Sequence, residues 1–294
     1  MATIDPDTVE KPPYDFGATE LDAYEQGQRP VYSVCTLVTQ PAEYTEMLAS
    51  FHAAGFAEGV SEFIYVDNTG PNKYDGYAAV NKFLNLARGD YIILCHQDVR
   101  LHADRIDVLD RAIADISRRD PYWGVLGNAG GIAPGIQAVR ITDPHGTNTH
   151  RGDLPARVTA LDENFMVVRR DANLAVSRDI GGFHLYGTDL CLIADMLGYT
   201  AYVIDFHLQH LSGGGKIRYD AKSRDFASDY PRVRKRLTEK YRRVLAARWV
   251  QNTMAPLFLS NSRILNALAN RQLTRSLVKR LSRLRARLSA KSIH

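Results

Sequence analysis

The chain has 294 residues, 45% of them apolar and 24% charged, the make-up of a soluble globular protein with room for one sizeable α/β domain plus appendages, or two modest domains. No uninterrupted apolar stretch approaches the roughly 18 residues of a transmembrane helix, and the start lacks a basic region leading into an apolar core, so a secretory leader is not expected. The formal charge of +4 divides into +8 over residues 271–294, which hold no acid, and −4 over the rest, a split that points to a surface-binding tail and away from a generally basic nucleic-acid binder.

Residues 1–30 carry seven acids, two bases and four prolines with few large aliphatics, and are expected to form an irregular arm. Residues 31–38 read as a first strand, and Pro41 opens a helix to about Ala54 that Gly55 and Gly59 end. A second strand spans residues 62–67 and stops at Asn68-Thr69-Gly70-Pro71. Residues 75–88 form a second helix, with Val80, Phe83, Leu84 and Ala87 on one face. Gly89-Asp90 then punctuates the chain before Tyr91–Cys95, a short apolar run suited to a strand buried on both faces. At its carboxyl end stand His96, Gln97 and Asp98, at the point where open α/β sheets bind their ligands. Strands alternating with helices over short connections imply βαβ units. Right-handed crossovers align the carboxyl ends of such strands, so Asp67, Asp98 and the Thr39-Gln40 turn are expected on one rim.

A helix is expected from about Asp104 to Arg119, then a short strand over 123–127. Residues 128–157, rich in Gly, Pro, His, Asn and Thr, read as a long functional or mobile loop. Strand character returns over 158–170, with Phe165, Val167 and Val168 in the core. A loop over 182–187 leads into a helix ending near 199, with Leu190, Ile193, Ala194 and Leu197 on one side. Residues 200–210 read as a last strand, closed by Ser212-Gly213-Gly214-Gly215-Lys216. From about Asp225 the chain is expected to be helical to its end, broken at Pro231 and Pro256. The expected organisation is an arm (1–30), an α/β domain (31–220) and a C-terminal helical region with a basic tail (221–294).

The ordered set Val66-Asp67-Asn68, Asn81-Lys82, Ala87-Arg88-Gly89-Asp90-Tyr91 and His96-Gln97-Asp98-Val99 resembles the GT-A-fold glycosyltransferases of the family 2 type. More closely, it resembles their bacterial and phage branch with His-Gln-Asp in place of Asp-x-Asp; residues 183–192 and Gln209-His210-Leu211-Ser212 fit the same branch. The likeness covers about residues 31–215. It implies a Rossmann-like, mostly parallel sheet flanked by helices, and a metal-dependent, inverting transfer of sugar from a nucleotide-sugar, a UDP-sugar foremost, to an acceptor hydroxyl. A divalent ion, Mn²⁺ or Mg²⁺, neutralises the diphosphate leaving group in such transfers. The resemblance makes Asp98 the main metal ligand and His210 a further one, against the alternative of a surface loop histidine. His96 departs from the usual acidic position and stays open as a ligand, a phosphate donor or a structural residue; imidazole ligation suits Mn²⁺ better than Mg²⁺. Asp67 is assigned to the nucleotide base or ribose, against the alternative of an Asx-turn. Thr36 to Thr39 line the same pocket, and Lys82 reaches the diphosphate or is a solvated helix residue. Asp189, in the first turn of a helix, is the expected general base, against a merely stabilising helix acid. Asp162 and Glu163 stand in reserve, and Tyr186 and Phe183 stack on a sugar or pack in the core.

In the tail, Leu273, Leu277, Leu281, Leu284 and Leu288 fall on one helical face among Arg and Lys, a pattern for an anionic membrane surface or for a protein partner. A saccharide or lipid-linked acceptor and a cytoplasmic enzyme peripheral to the inner membrane face follow; nucleic acid does not. Cys35, Cys95 and Cys191, odd in number and set in apolar runs, are expected as buried reduced thiols, which favours the cytosol. A sugar nucleotidyltransferase would want a Gly-rich loop after the first strand, and residues 38–42 have none. A non-catalytic carbohydrate-binding or scaffolding protein is the rival from another class.

Overall fold

Strand β1 (Tyr32–Val38) lies between two parallel neighbours, β2 (Ser61–Asp67) and β3 (Tyr91–Cys95), in a computed structural model that describes residues 29–212, 221–251 and 256–291. The apolar run of β1 and β3 is buried on both faces because successive side chains enter different cores. Val34 and Ile93 pack with Met47 and Phe51 of helix α1 (Pro41–Ala53) and with Leu109 and Ile113 of α3 (Ile106–Arg119). Cys35, Ile92 and Leu94 pack on the other side, with Val80 and Phe83 of α2 (Gly76–Leu86) and Leu190 of α4 (Tyr186–Met196). Pro41 opens α1, and Asp75 caps α2 by accepting the Ala78 N–H at 2.8 Å.

After β4 (Val99–Arg100) and α3 come β5 (Trp123–Gly127), β6 (Ala129–Ala133), β7 (Ile136–Asp143), β8 (Gly146–Arg151), β9 (Ala156–Val158), β10 (Ala160–Leu161), β11 (Phe165–Arg169), α4, β12 (Thr200–Val203) and β13 (Leu208–His210). The seven-stranded sheet runs β2-β1-β3-β11-β5-β12-β9, and only β11 and β9 oppose the other five strands. This is the mostly parallel α/β sheet flanked by helices that was expected for residues 31–220. A second sheet, β10-β6-β7-β13-β4 with β8 on β7, covers the carboxyl rim.

Two expectations fail here. The loop expected over 128–157 is mostly strand: β7 pairs with both β6 and β8. These strands are largely solvent-facing, so their Thr, Asn, His and Arg residues hide the alternation that marks a buried strand. The single strand expected over 200–210 divides: β12 stays in the large sheet, and the chain crosses at 204–207 to lay β13 in the small one.

The C-terminal region also departs from a broken helix. Helix α5 (Ala221–Val244) runs through Pro231, and a hairpin of β14 (Arg248–Gln251) and β15 (Pro256–Leu259) precedes α6 (Arg263–Ala269) and α7 (Gln272–Lys291). A proline inside a helix costs about 3 kcal/mol; docking offsets it. Val233 is fully buried in the α2–α4 core, Arg236 donates to the Ile180 carbonyl at 2.7 Å, and Lys240 pairs with Asp179. Gly182, at φ +110°, lets the 180s segment approach α5, since a Cβ there would meet Val233 at 2.5 Å. The expected N-terminal arm, apart from Arg29 and Pro30, and the Gly213–Lys216 closure lie outside the described residues. The three cysteines are buried and free. Among the described residues no helix is long and apolar enough to cross a membrane.

Candidate metal centre and active site

Strand β3 ends at Cys95, and a tight turn follows in which the Val99 N–H reaches the His96 carbonyl at 3.3 Å. The turn is braced from both sides. Gln97 Oε1 accepts the backbone N–H groups of Thr39 and Gln40 at 2.8 and 2.9 Å, and its amide donates to Thr39 Oγ1 at 2.9 Å. Beneath it the buried Arg100 guanidinium donates to the carbonyls of Gln97 and Val99 and pairs with Glu46 of α1 at 2.7 Å. The turn thus presents His96 and Asp98 from a backbone with few free donors or acceptors.

The second sheet supplies the third group. Antiparallel pairing sets His210 of β13 opposite Val99 of β4, directly beside Asp98. His210 Nε2 lies 3.2 Å from Asp98 Oδ1, and the Ser212 N–H donates to Asp98 Oδ2 at 3.2 Å. One donor atom each from His96, Asp98 and His210 falls within 4.8 Å of the others. All three sequence candidates for a metal site therefore converge. Two imidazole nitrogens and a carboxylate oxygen form a mixed N/O donor set that fits Mn²⁺ better than Mg²⁺, which prefers oxygen alone.

The electrostatics follow from this packing. Burial alone would raise the Asp98 carboxyl, but the hydrogen bond and charge of His210, the Ser212 N–H and the charge of His96 hold it well below the usual carboxylate range. Burial would lower His210, and its hydrogen bond to Asp98 outweighs that and raises it. Burial and the neighbouring His210 lower His96. Asp98 is 8% exposed and lines a cavity of about 300 Å³ instead of being sealed off. The cavity's wall is apolar on one side (Cys35, Leu37, Val80, Phe83, Leu94) and carries His96, Gln97, Asp98, Phe183, Tyr186 and Ser212 on the other. A larger cleft of about 620 Å³, around Arg29, Trp123 and Arg169, lies at the opposite rim, where β3 and β5 begin, and holds none of these groups.

Tyr186 is the residue whose part sequence reasoning did not find. Its hydroxyl sits 3.1 Å from His96 Nε2. It follows Leu185, whose positive φ of 63° is unusual for a bulky residue. Glu163 holds that turn by accepting the Gly187 N–H at 3.2 Å and the Leu185 N–H. Burial, then the charge of Asp162, push the Glu163 carboxyl up to about 8. Asp162 is exposed, and its charge acts on both His96 and His210. The His96 N–H donates to the Asn164 carbonyl at 3.0 Å, which sets this acidic pair against the centre.

The remaining candidates divide. Thr39 joins the centre through Gln97. Thr36 does not line the pocket: it alternates away from Cys35 and Leu37, is 1% exposed, and its Oγ lies 3.7 Å from Met47 Sδ beneath α1. Asp67 stands on the same rim, at the end of β2 opposite Val38, where it makes the Asx-turn, accepting the Thr69 N–H at 3.0 Å and the Thr69 hydroxyl at 2.6 Å. Lys82 packs over the Tyr74 ring, 5.9 Å from its centroid. Asp189 does lie in the first turn of α4, yet it is 0% exposed. Its oxygens accept the Ser177 N–H at 2.6 Å, the Ser177 hydroxyl at 2.8 Å and the Tyr241 hydroxyl at 2.7 Å. A carboxyl so enclosed cannot meet an acceptor hydroxyl, and the expectation of a general base at Asp189 is corrected to a structural tie between α4 and α5.

The chain is 38% identical over 219 residues to the "ATP synthase subunits region ORF 6" protein of Fuscovulum blasticum, a match spanning 72% of this chain and 84% of that one. No family model matches it. Among solved structures it is similar to the mannosyltransferase PcManGT from Pyrobaculum calidifontis in complex with GDP-Man and Mn²⁺, at TM-score 0.46 and 15% identity over 72% of this chain. It is also similar to GalNAc-T7 with UDP, GalNAc and Mn²⁺, at TM-score 0.39 and 9% identity over 64% of this chain. The chain spans 65% of the length of the first structure and 45% of the second.

Proposed function

This chain belongs to the family of the Fuscovulum blasticum ORF 6 protein, and we propose that it is a metal-dependent glycosyltransferase of the His-Gln-Asp, family 2-like kind, moving a sugar from a nucleotide-sugar to an acceptor hydroxyl with inversion. One observation carries this reading: His96, Asp98 and His210 converge within 4.8 Å on the carboxyl rim of a mostly parallel sheet, beside a cavity. Held by these three residues, a divalent ion supplies positive charge against the diphosphate leaving group.

The chain's own residues do the rest. Asp98 keeps its carboxylate free of protons across the physiological range, so it is always available as a ligand. Tyr186 fixes the His96 ring through Nε2, and Gln97 joins the His-Gln-Asp turn to the end of β1. Asp67 and Thr39, on the same rim, meet the nucleoside end of a donor, a UDP-sugar by expectation. As the acceptor oxygen bonds to the anomeric carbon and the nucleoside diphosphate departs, the hydroxyl proton passes to Asp162, the exposed carboxylate beside the centre. A saccharide or a lipid-linked sugar is the acceptor class.

The test is a panel of UDP- and GDP-sugars with Mn²⁺, read by nucleotide release and by calorimetry. Binding and release with at least one donor, both lost on chelation, are expected. Release that persists in strong chelator, or no binding to any donor, sinks the proposal.

A further inference from the structure

Beyond Glu239 the sequence holds no acid: the net charge of +4 is made of +13 over residues 240–294 and −9 over all that precedes them. Within this segment α7 exposes Leu273 to 86%, Leu277 to 57%, and Leu281 and Leu284 to 56% each. Their steps of four, four and three place them in one stripe along the helix. Helix α6 has no buried residue and adds Ile264 and Leu268, 72% and 47% exposed, one turn apart.

Helix α3 shows what the same pattern looks like when it has a partner. It buries Leu109, Ile113 and Ile116 in the core, and its Arg111, Arg118 and Arg119 pair with Asp107 and Asp115 on the same helix. Among the described residues helix α7 has neither the cover nor the counter-charges, and contiguous apolar stripes of this kind mark interaction surfaces.

We propose that α6 and α7 form a docking surface for an anionic phospholipid bilayer, with the leucine stripe at the acyl boundary and Arg271, Arg275, Lys279 and Arg280 among the headgroup phosphates. Two features select this occupant. The sequence from Lys240 onward is cationic, with no acid to set register against a protein, and a fluid anionic surface needs no register. A nucleic acid would satisfy the cations yet leave the leucines in water. The inference stands apart from the sugar-transfer reading, because vesicle binding and nucleotide release are measured independently.

The experiment is co-sedimentation of the full chain with vesicles of phosphatidylcholine alone or mixed with phosphatidylglycerol. Binding to the mixed vesicles is expected, weak binding to the neutral ones, and weakening with salt. The triple variant Arg271→Gln, Arg275→Gln, Arg280→Gln should lose about a hundredfold in affinity, at about fivefold per cation. Leu277→Asp with Leu281→Asp should lose at least as much, at about tenfold or more per leucine. A variant that keeps the surface apolar, Leu277→Trp, guards against misfolding: its emission should shift to the blue with anionic vesicles and stay put with neutral ones. Four outcomes overturn the proposal. They are no binding to anionic vesicles, binding that survives loss of the leucines, a Leu277→Trp signal indifferent to lipid charge, and a dimer in light scattering that the leucine variant converts to monomer.

Discussion

Asp98 and Asp189 are both buried acids, one within a tight turn and one in the first turn of a helix, and they differ in what encloses them. Asp98 meets two imidazoles, one backbone N–H and a cavity. Asp189 meets a serine twice and a tyrosine once, with no exposed surface. The first set can exchange a neighbour for a cation. The second cannot release its carboxyl without stranding donors in the interior. Burial alone therefore does not make an acid structural or functional; the neighbours' ability to rearrange does.

That contrast can be broken most directly at Asp98. Asp98→Asn should cut nucleotide release by at least about a hundredfold, while circular dichroism shows the fold retained; full turnover would undo the metal assignment. Asp189→Ala should do the reverse, costing about 1–3 kcal/mol for each stranded donor in urea denaturation while leaving turnover per folded molecule intact. Lost turnover with unchanged stability would return Asp189 to the chemistry. Tyr186→Phe sharpens the picture, since it removes only the hydroxyl that fixes His96. Mn²⁺ affinity, read by calorimetry, should fall about tenfold to a hundredfold.

The smallest effect belongs to Glu163. Its carboxyl ordinarily titrates near 4.5 and is raised to about 8 in the fold, chiefly by burial. Between those values the unfolded chain has released a proton that the folded chain still holds. Stability conferred by the protonated form is complete below the lower value and is lost as pH rises through the upper one. Melting temperature should decline across that window, and Glu163→Gln should flatten the decline. An equal slope in both proteins would show that Glu163 is not the source.

The sequence was most legible where burial is two-sided. Tyr91–Cys95 and Trp123–Gly127 are unbroken apolar runs, and both are strands with those bounds. His96 and Asp98 followed because β3 ends where they stand. His210 was named through a likeness, and the reason for its position, pairing with a two-residue strand, is too short to leave a pattern. The strands from Ala129 to Arg151 went unseen because solvent-facing strands have no reason to be apolar. Thr36 was misread by one step of a period-two strand that reverses its face. Asp189 was misread because its enclosing partners, Ser177 and Tyr241, lie 12 and 52 positions away, and no local rule connects them.

The union of β4 with β13 also governs when the centre can exist. Asp98 and the segment after His210 are more than a hundred positions apart, and closing so long a loop is repaid only when the intervening strands are in place. A growing polypeptide carries β1, β2, β3 and Asp98 well before His210 has been synthesised. The candidate cation site therefore cannot close before His210 is in place, and a rise in melting temperature on adding Mn²⁺ would report molecules in which it has closed.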